Sequence, residues 1–323
     1  MSGANILVTG YASFDSFILI DHFCGEGKTS TVLAFEGLER PLPGGCACNI
    51  AVACARLGIR TALVTVLGAD EYGTAYKEFL TKLGVDTSLV SLQKGLSSPR
   101  TFLINDRAGN HITLYYPGAS DMVTQALKSK ISIIQELNIS HGVITVGDPW
   151  LTREVVFYLE KKGVPILWSF KGDMRAYPPD LLQYLLNVSA YLVINESEAI
   201  LLKQIVGLRD VSELLKRGFQ GMIVTKGDKG SEVLTEAGKE VIPAVRPSCT
   251  VDPTGAGDGF VAGVIYGLYH GLPLSISARI GAVLASFVLE SWGAQTSLPD
   301  PVALQRRYRE AFGSWPIQEG LNE

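Results

Sequence analysis

Short apolar runs alternate along this chain with longer segments whose apolar residues recur at helical spacing. The apolar runs predict β-strands at 6–10, 61–67, 142–146, 165–169, 191–194 and 222–225. Between them the sequence predicts helices that include 49–57, 72–83, 153–161 and 197–205. Continuous apolar strands separated by helices are typical of a mostly parallel sheet with both faces covered. The pattern therefore predicts an α/β fold with three layers, in which one sheet lies between two layers of helices.

Two regions depart from this alternation. Segments 101–105 and 112–116 predict strands, and segment 106–110, DRAGN, between them has the composition of a hairpin turn. Segments 16–22 and 31–35 predict two more strands with a polar loop between them. No repeat or low-complexity linker divides the sequence, so we expect a single domain over residues 1–323.

Composition narrows the classes of function. The net charge of −4 and the lack of any block of Lys and Arg give no electrostatic case for binding nucleic acid. The five cysteines form no CxxC pairs and only four histidines occur, so we expect no zinc site. The sequence shows no signal peptide and no apolar run of about 20 residues that could span a bilayer. We therefore expect a cytoplasmic protein that is not associated with a membrane.

The segment 252–260, DPTGAGDGF, combines three glycines and a carboxylate with an apolar run, 260–268, that predicts a buried helix. Backbone N–H groups at a helix start lack internal partners and lie at the positive end of the helix dipole, so they bind anions, most often phosphate. A carboxylate beside such an anion site suggests proton transfer, which makes Asp258 a candidate general base. The alternative is that Asp258 only complements the helix dipole.

A second glycine-rich segment lies far upstream, at 43–49, PGGCACN. Two adjacent glycines allow the backbone to approach a ligand closely. Asn49 stands where the next helix is expected to begin, and its alternative role is a plain N-cap. The tripeptide 27–29, GKT, does not complete a Walker A loop, and segment 252–260 does not spell the dinucleotide-binding pattern GxGxxG.

Taken together, these segments resemble the two signature regions of the ribokinase-like, or PfkB, carbohydrate kinase family. Family-like pieces recur in order at 10–15, 43–49, 117–119, 195–198, 225–230, 252–258 and 293–297. The resemblance implies a ribokinase-like three-layer domain with a small β-sheet lid from about 15–43 and 98–118. It also implies the phosphorylation of an alcohol by ATP, and it suggests that two copies pair through the lid sheet as a homodimer.

The resemblance assigns roles to residues in the transfer site. Asp258 would take the proton of a primary alcohol, and the amides of Gly255, Ala256 and Gly257 would hold the migrating phosphoryl oxygens. On the acceptor side, the residues that would contact the hydroxyl groups of a sugar or nucleoside are Asp15, Gly44, Gly45 and Asn49.

The resemblance also implies nucleotide and cation sites. Asn195 and Glu198 would support Mg²⁺ and the phosphates, although they also match a capping box. The segment with Thr225, Gly227 and Gly230 would bind ATP, although it also matches an ordinary tight turn. We expect the adenine pocket to use residues in 282–287. The residues that would hold a monovalent cation such as K⁺ are Asp252, Thr254, Gly293 and Ser297.

The sequence departs from the ribokinase pattern at two positions, because Cys46 stands where a lysine is frequent and Lys171 stands where an aspartate is common. Segments 147–149 and 290–296 are more similar to the archaeal nucleoside kinases of the family, and the aromatic residues offered for stacking on a base are Phe102, Tyr115, Tyr116 and Trp150. The sequence thus predicts an ATP-dependent kinase for a sugar or ribonucleoside, with a preference for the nucleoside. The alternatives are a non-catalytic regulator that binds sugars or nucleotides and a nicotinamide-dependent oxidoreductase.

Overall fold

The computed structural model of the protein describes residues 5–122 and 131–317, which form two β-sheets and the helices around them. The strands, in chain order, are β1 Ile6–Thr9, β2 Ser13–Ile20, β3 Val32–Glu36, β4 Leu42–Gly44, β5 Thr61–Gly68, β6 Val85–Asp86, β7 Val90–Gln93, β8 Arg100–Asp106, β9 His111–Tyr116, β10 His141–Ile144, β11 Ile166–Ser169, β12 Tyr191–Asn195, β13 Gly221–Thr225, β14 Ser231–Thr235 and β15 Gly238–Ile242. The described α-helices are α1 Cys46–Arg56, α2 Glu71–Lys82, α3 Pro149–Lys161, α4 Pro179–Val188, α5 Glu196–Val206, α6 Ala256–Tyr269, α7 Leu274–Val288 and α8 Pro301–Phe312.

The large sheet has the strand order β15-β14-β13-β12-β11-β10-β1-β5-β6, and β7 also pairs with β5. Its strands from β13 to β6 run parallel, whereas β14 and β15 form an antiparallel edge. Each of the six predicted apolar strands is present in this sheet, within a few residues of its predicted ends. The prediction of a mostly parallel sheet is confirmed.

Two hydrophobic cores cover the two faces of this sheet, because neighbouring residues of a strand point to opposite faces. In β10, Val143 belongs to the core formed with α1, α2, α6, α7 and α8. The next residue, Ile144, belongs to the core formed with α3, α4 and α5. The three-layer architecture predicted from the sequence is therefore confirmed.

The small sheet has the order β3-β2-β8-β9, with β4 paired to β2. Strands β8 and β9 form the predicted antiparallel hairpin, and β2 and β3 are antiparallel as well. Strand β2 pairs with β8 in parallel, a long-range contact that local sequence patterns do not encode. The small sheet therefore joins two separate stretches of the chain.

The carboxyl ends of the parallel strands meet at one edge of the large sheet, where ligands bind in open α/β folds. The segments after β1, β11, β12 and β13 all reach this edge, and they carry several of the residues singled out in the sequence. Helices α1 and α6 begin earlier than predicted, at Cys46 and Ala256 rather than at 49 and 260. Within the described ranges, no helix has the length and apolarity needed to cross a bilayer.

Candidate active site

Asp258 lies in the first turn of α6, and its side chain is buried although it carries a carboxylate. The helix begins after Gly255, whose φ of 80° is in the left-handed region and whose N-cap position has no side-chain capping bond. First-turn N–H groups of a helix have no intrahelical acceptor. Here the Ala256 amide donates to the carbonyl oxygen of Pro253 at 3.2 Å. Asp258 itself is only 4% exposed, so a charged oxygen pair is held beside backbone donors and away from bulk water.

Two side chains from distant parts of the sequence hold the carboxylate of Asp258. Asn49 donates from Nδ2 to Oδ2 of Asp258 at 2.9 Å. Lys171 places Nζ 3.3 Å from the other oxygen, Oδ1, which makes no hydrogen bond in the structure. The oxygen that faces Lys171 is thus held by charge rather than by a directional bond, and Asn49 leaves its hydrogen-bonding capacity unused.

Asn49 is positioned by a further network that the sequence did not reveal. Gln295 donates from Nε2 to Oδ1 of Asn49 at 2.9 Å and to the hydroxyl of Tyr76 at 2.7 Å. Tyr76 in turn donates to the carbonyl oxygen of Gly44 at 2.8 Å. Gln295 lies in a segment already noted in the sequence. For Tyr76 the sequence indicates only a buried position on α2, and no role in a site. The network ties the diglycine segment to Asp258.

The suggestion that Asn49 is a helix N-cap is wrong. Helix α1 begins at Cys46 and its N-cap is Gly45, with φ 90°. Asn49 therefore lies inside the first turns of α1, where its side chain turns toward Asp258 instead of capping its own helix. The physical reason is that Gly45 can adopt a positive φ, which starts the helix four residues earlier than an N-cap at Asn49 would.

Asp15 and the diglycine segment form the neighbouring wall of the site. A Cβ atom at Gly44 would lie 2.0 Å from Oδ2 of Asp15, so only glycine fits where β4 passes this carboxylate. The hydroxyl of Ser13 donates to Oδ1 of Asp15 at 2.7 Å. Burial raises the pKa of Asp15 to about 6, against the opposing effect of hydrogen bonds from Ser13 and Thr101. The charge of Asp258 raises the pKa of Asp15 further.

Lys171 follows β11, and its ammonium group contacts the carboxylate of Asp258. Burial lowers the pKa of its ammonium group, but the carboxylate of Asp258 and the charge of Glu198 raise it above the ordinary value. Burial also raises the pKa of the Cys46 thiol, so that this thiol stays neutral beside Asp258. Lys171 had been noted only as a departure from the family pattern, and its place next to Asp258 is a result of the tertiary structure.

The residues expected to bind the nucleotide lie at the ends of β12 and β13, on the same sheet edge. Asn195 caps α5 and forms the predicted capping box with Glu198, with both hydrogen bonds at 2.8 Å. Burial raises the pKa of Glu198, whereas the charge of Lys171 lowers it, so Glu198 is within electrostatic reach of Lys171. The capping-box interpretation is confirmed, and it leaves a role toward Mg²⁺ open.

Thr225 is the register partner of Asn195 between β12 and β13. It is followed by a 3-10 turn, Gly227–Lys229, which the amide of Lys226 closes by donating to the carbonyl of Gly230 at 2.8 Å. The turn predicted from the sequence is therefore present. Both of its glycines have left-handed φ values, 60° at Gly227 and 86° at Gly230.

The four residues expected to hold a monovalent cation lie in two loops that meet beside the start of α6. The loops are joined by the amide of Val251, which donates to the carbonyl of Leu289 at 2.8 Å. Oδ1 of Asp252 accepts from the amide of Thr254 at 3.0 Å, whereas Oδ2 is buried without a hydrogen-bond partner. Ser297 donates to the carbonyl of Phe287 at 2.6 Å, and Gly293 has a left-handed φ of 81°.

The candidates for base stacking do not share one face of the small sheet. In β8, Phe102 alternates with Thr101, which is the register partner of Asp15 and whose hydroxyl contacts that of Ser13, so Phe102 lies on the face opposite Asp15. Tyr116, half-exposed, likewise lies on the opposite face of β9 from Tyr115. Phe102 and Tyr116 are therefore wrong as stacking residues, because strand alternation turns them outward. Tyr115 faces inward, and its ring centroid lies 5.3 Å from that of Tyr11.

Comparisons with known proteins bear on the family and the fold of the whole chain. A family model described as pfkB family carbohydrate kinase matches residues 10–301. The chain is 30% identical over 313 residues to a nucleoside kinase of Methanothermobacter thermautotrophicus, covering 97% of this chain and 98% of that protein. It is 31% identical over 299 residues to the ribokinase of Bacillus subtilis, covering 91% and 96%. A solved structure of a Burkholderia thailandensis nucleoside kinase in complex with inosine superposes with a TM-score of 0.86 at 25% identity, covering 96% and 100%.

Proposed function

This chain belongs to the pfkB family of carbohydrate kinases, and from that premise we propose that it transfers the γ-phosphoryl group of ATP to the hydroxymethyl oxygen of a ribonucleoside. It is an enzyme, a sugar or nucleoside kinase, because its relatives with these activities match nearly the whole chain. The alternatives of a non-catalytic regulator and a nicotinamide-dependent oxidoreductase are set aside accordingly. The observation that carries the mechanism is the buried carboxylate of Asp258, held by Asn49 and Lys171 at the start of α6.

Asp258 is the proposed general base. A base must lie within hydrogen-bond reach of the acceptor proton, beside donors for the charge that moves with the phosphoryl group. In this mechanism the first-turn amides of Gly255, Ala256 and Gly257 hold the phosphoryl oxygens at the positive end of α6. The Ala256 amide would exchange its present acceptor, the Pro253 carbonyl, for a phosphoryl oxygen.

The acceptor is proposed to lie against Asp15, Gly44, Gly45 and Asn49. The carboxylate of Asp15 accepts hydrogen bonds from ribose hydroxyls, and the glycine backbone at β4 lets the ring approach. The similarity to nucleoside kinases, one of them solved with inosine, favours a nucleoside over a free sugar. The rings of Tyr11 and Tyr115, tilted by 36° to each other, offer aromatic faces that suit a nucleobase.

ATP is proposed to bind along the ends of β12 and β13, with its phosphates directed toward α6. Glu198 and Asn195 would support Mg²⁺, and Thr225, Gly227 and Gly230 would contact the nucleotide. Within the ranges that the structure describes, no group of three His, Cys, Asp or Glu side chains could hold a metal by itself. This fits a magnesium ion that keeps its waters and takes phosphate oxygens as ligands. When bound, the ion neutralises charge on the phosphates.

A monovalent cation is proposed at Asp252, Thr254, Gly293 and Ser297. The fit rests on Oδ2 of Asp252, a carboxylate oxygen that is buried and lacks a hydrogen-bond partner. An unpaired buried charge is costly, and a cation beside it removes that cost. The same loops contact the start of α6, since a Cβ atom at Gly255 would lie 2.1 Å from that of Ala294.

The small sheet, from about 15–43 and 98–118, is proposed to act as a lid of the single domain and as the contact surface of a homodimer. Strand register aligns large apolar side chains on its outer face, with Phe35 beside Ile18 and Leu114 beside Phe102. Phe35 and Leu114 are 57% and 52% exposed. A continuous apolar sheet face of this kind is typical of a protein contact surface, and a second copy of the chain is the proposed partner.

The acceptor preference is tested with the purified protein, ATP and MgCl₂ against a panel of purine and pyrimidine nucleosides, ribose and fructose. We expect at least one nucleoside to give a kcat/KM about tenfold or more above that of either sugar, since recognition of the base adds binding energy of at least about 1.4 kcal/mol. A higher kcat/KM for ribose or fructose than for every nucleoside would contradict the preference for a nucleoside.

The role of Asp258 is tested by Asp258→Asn, which preserves the shape of the side chain but cannot take a proton. We expect kcat to fall by about 10²–10⁴-fold while calorimetry still detects binding of ATP and acceptor. The matched control is Asp180→Asn, an exposed carboxylate at the start of α4, which we expect to leave kcat unchanged. Near wild-type turnover by Asp258→Asn would exclude Asp258 as the base.

A further inference from the structure

We infer that Lys171 is a catalytic residue, whose ammonium group binds the transferring phosphoryl group between Asp258 and the first-turn amides of α6. This inference rests on the proposed function of Asp258 and adds a second charged group to the same reaction. It concerns a side chain that follows β11 and reaches the site from another part of the chain than the loop with Asp258.

The position of Nζ of Lys171 is the first step of the argument. It lies 3.3 Å from Oδ1 of Asp258. It also lies 3.8 Å from the point where a Cβ atom would be built on Gly257, the residue whose amide is in the first turn of α6. The ammonium group therefore borders both the proposed base and the proposed anion hole. A phosphoryl oxygen received by these amides would lie within reach of Nζ.

The missing side chain at Gly257 keeps this space open. Leaving aside Gly257, its two chain neighbours and the nearby backbone of α6, Nζ of Lys171 is the one heavy atom of the described residues within 4 Å of the built Cβ position. The open volume is bordered by a cation on one side and by helix N–H groups on the other. Such a combination suits a group that carries several negative oxygens.

The charge state of Lys171 is the second step. Its side chain is only 25% exposed, and a buried ammonium group without partners tends to lose its proton. The carboxylates of Asp258 and Glu198 oppose this tendency and raise the pKa of Lys171, so the cation persists. In the proposed reaction Asp258 serves the acceptor, whereas Glu198 serves the nucleotide.

A purely structural ion pair explains the arrangement less well. Lys171 faces an oxygen of Asp258 that receives no hydrogen bond, and the contact is 3.3 Å long, beyond the usual length of a strong charge-assisted bond. Buried pairs contribute little to stability, because desolvation offsets much of their attraction. A loosely held cation is instead free to move toward a phosphoryl oxygen when ATP binds.

The reaction step balances without any change of charge on Lys171. The acceptor hydroxyl gives its proton to Asp258 and forms a bond from its oxygen to the γ-phosphorus. The bond from that phosphorus to the bridging oxygen breaks, and ADP leaves with the electron pair. Lys171 keeps its protons throughout and offsets negative charge on the moving phosphoryl group, which is where cationic side chains act in phosphoryl transfer.

The test compares Lys171→Met, Lys171→Gln and Lys171→Arg with the wild-type enzyme, using ATP, MgCl₂ and the best nucleoside. We expect Met and Gln to lower kcat by about 10²–10³-fold with KM values changed by no more than about threefold, because the contact is made in the transition state. Arginine keeps the charge, and we expect it to retain at least about tenfold more activity than methionine.

A second readout separates catalysis from support of Asp258. ADP, the nucleoside and aluminium fluoride together mimic the transferring phosphoryl group, and transition-state mimics bind far more tightly than substrates. We expect aluminium fluoride to tighten the binding of ADP to the wild-type enzyme but not to Lys171→Met, while the affinity for ADP alone stays the same. The control is Lys239→Met, a surface lysine paired with Glu232, which we expect to behave as wild type.

Several outcomes would overturn the inference. They are a kcat within about threefold of wild type for Lys171→Gln or Lys171→Met, or an aluminium fluoride effect that survives in either variant. If Lys171→Met does not fold, as judged by its thermal melt, the Gln and Arg variants decide the question by the same two readouts. A failure of the proposed function of Asp258 gives a different result. In that case Asp258→Asn would keep its turnover, independently of the results for the Lys171 variants.

Discussion

Asn49 donates a hydrogen bond from Nδ2 to Oδ2 of Asp258 at 2.9 Å, across 209 residues of sequence. This bond joins the segment proposed to bind the acceptor to the carboxylate proposed to receive its proton. It fixes one oxygen of Asp258 and leaves the other facing Lys171. The two glycine-rich segments noted in the sequence thus meet through their polar side chains, and not only through their backbones.

Asn49→Ala removes this bond and also the acceptor of Gln295. We expect the free energy of unfolding to fall by about 1–3 kcal/mol, because a buried carboxylate oxygen loses its partner and the half-buried Gln295 amide keeps only its bond to Tyr76. We also expect kcat to fall by about tenfold or more as Asp258 loses its orientation. Urea denaturation and steady-state kinetics measure the two effects. The control is Asn187→Ala at the exposed end of α4, and equal behaviour of both variants would contradict the prediction.

Gly255→Ala tests the turn that starts α6. A Cβ atom at this position would lie 2.1 Å from that of Ala294, and φ is 80°. Strain and overlap together should destabilise the protein by about 2–4 kcal/mol, visible as a lower Tm. Gly271→Ala is the matched control, because its φ is 72° but its built Cβ meets no atom within 4 Å. It carries only the backbone strain, so a loss of Tm as large as that of Gly255→Ala would refute the steric argument.

The raised pKa of Asp15 predicts that acceptor binding depends on pH. Burial lifts the pKa of this carboxyl to about 6, so it becomes fully ionised only above that pH. We expect the KM for the acceptor to rise as pH falls below about 6, because the protonated group loses acceptor capacity. Kinetics at constant ionic strength from pH 5 to pH 8 measure this, and the KM for ATP serves as the internal reference. A KM for the acceptor that stays flat through pH 6 would count against the role of Asp15.

The free energy of unfolding should depend on pH in the opposite sense, through the same ionisation of Asp15. The folded pKa of Asp15 lies above its ordinary value of 3.8, so the native state binds more protons between these two values. The stabilisation that Asp15 contributes is fully present below its unfolded pKa and is lost as pH rises through about 6. The free energy of unfolding falls by up to about 3 kcal/mol over this range. Asp15→Asn removes the ionisation, so its stability relative to wild type should increase between pH 4 and pH 7. Urea denaturation at both pH values measures the difference, and a constant difference would contradict the prediction.

Asp252 predicts an effect of potassium on the rate. Its unpartnered buried oxygen lies beside the loop that starts α6, so a bound cation would stabilise that loop. We expect the rate to rise with KCl and to saturate when tetramethylammonium chloride keeps the ionic strength constant. Asp252→Asn should remove most of this dependence, whereas Asp86→Asn, on the edge strand β6, should retain it. A wild-type rate that does not depend on the KCl concentration would exclude the proposed cation site.

The outer face of the small sheet predicts the oligomeric state. A charge in the middle of an apolar contact is costly to bury, so Leu114→Glu should convert a dimer to a monomer. Sedimentation velocity measures the change at micromolar concentration. Val302→Glu introduces the same charge at a 72% exposed position on α8 and should leave the dimer intact. A wild-type protein that sediments as a monomer would refute pairing through this face.

The alternation of apolar and polar residues was sufficient to predict the six central strands of the large sheet, several helices and the three layers, but not the short strands β4, β6 and β7 or the edge strands β14 and β15. This works because burial on a strand or helix repeats with a short period that is visible within about ten residues. The same holds for the capping box of Asn195 and Glu198 and for the turn at Gly227 and Gly230, which involve neighbours only. The order of family-like segments then indicated the kinase family, which the comparisons confirm.

The tertiary structure alone decided which side chains surround Asp258. The local sequence offered a helix cap as the alternative role of Asn49, yet the glycine before α1 starts that helix early and the amide turns toward the carboxylate. Lys171 and Gln295 reach the same place from β11 and from the loop after α7. Their positions depend on how the sheet and helices pack over hundreds of residues. Local patterns constrain only neighbouring backbone, so no single segment of the sequence could specify these contacts.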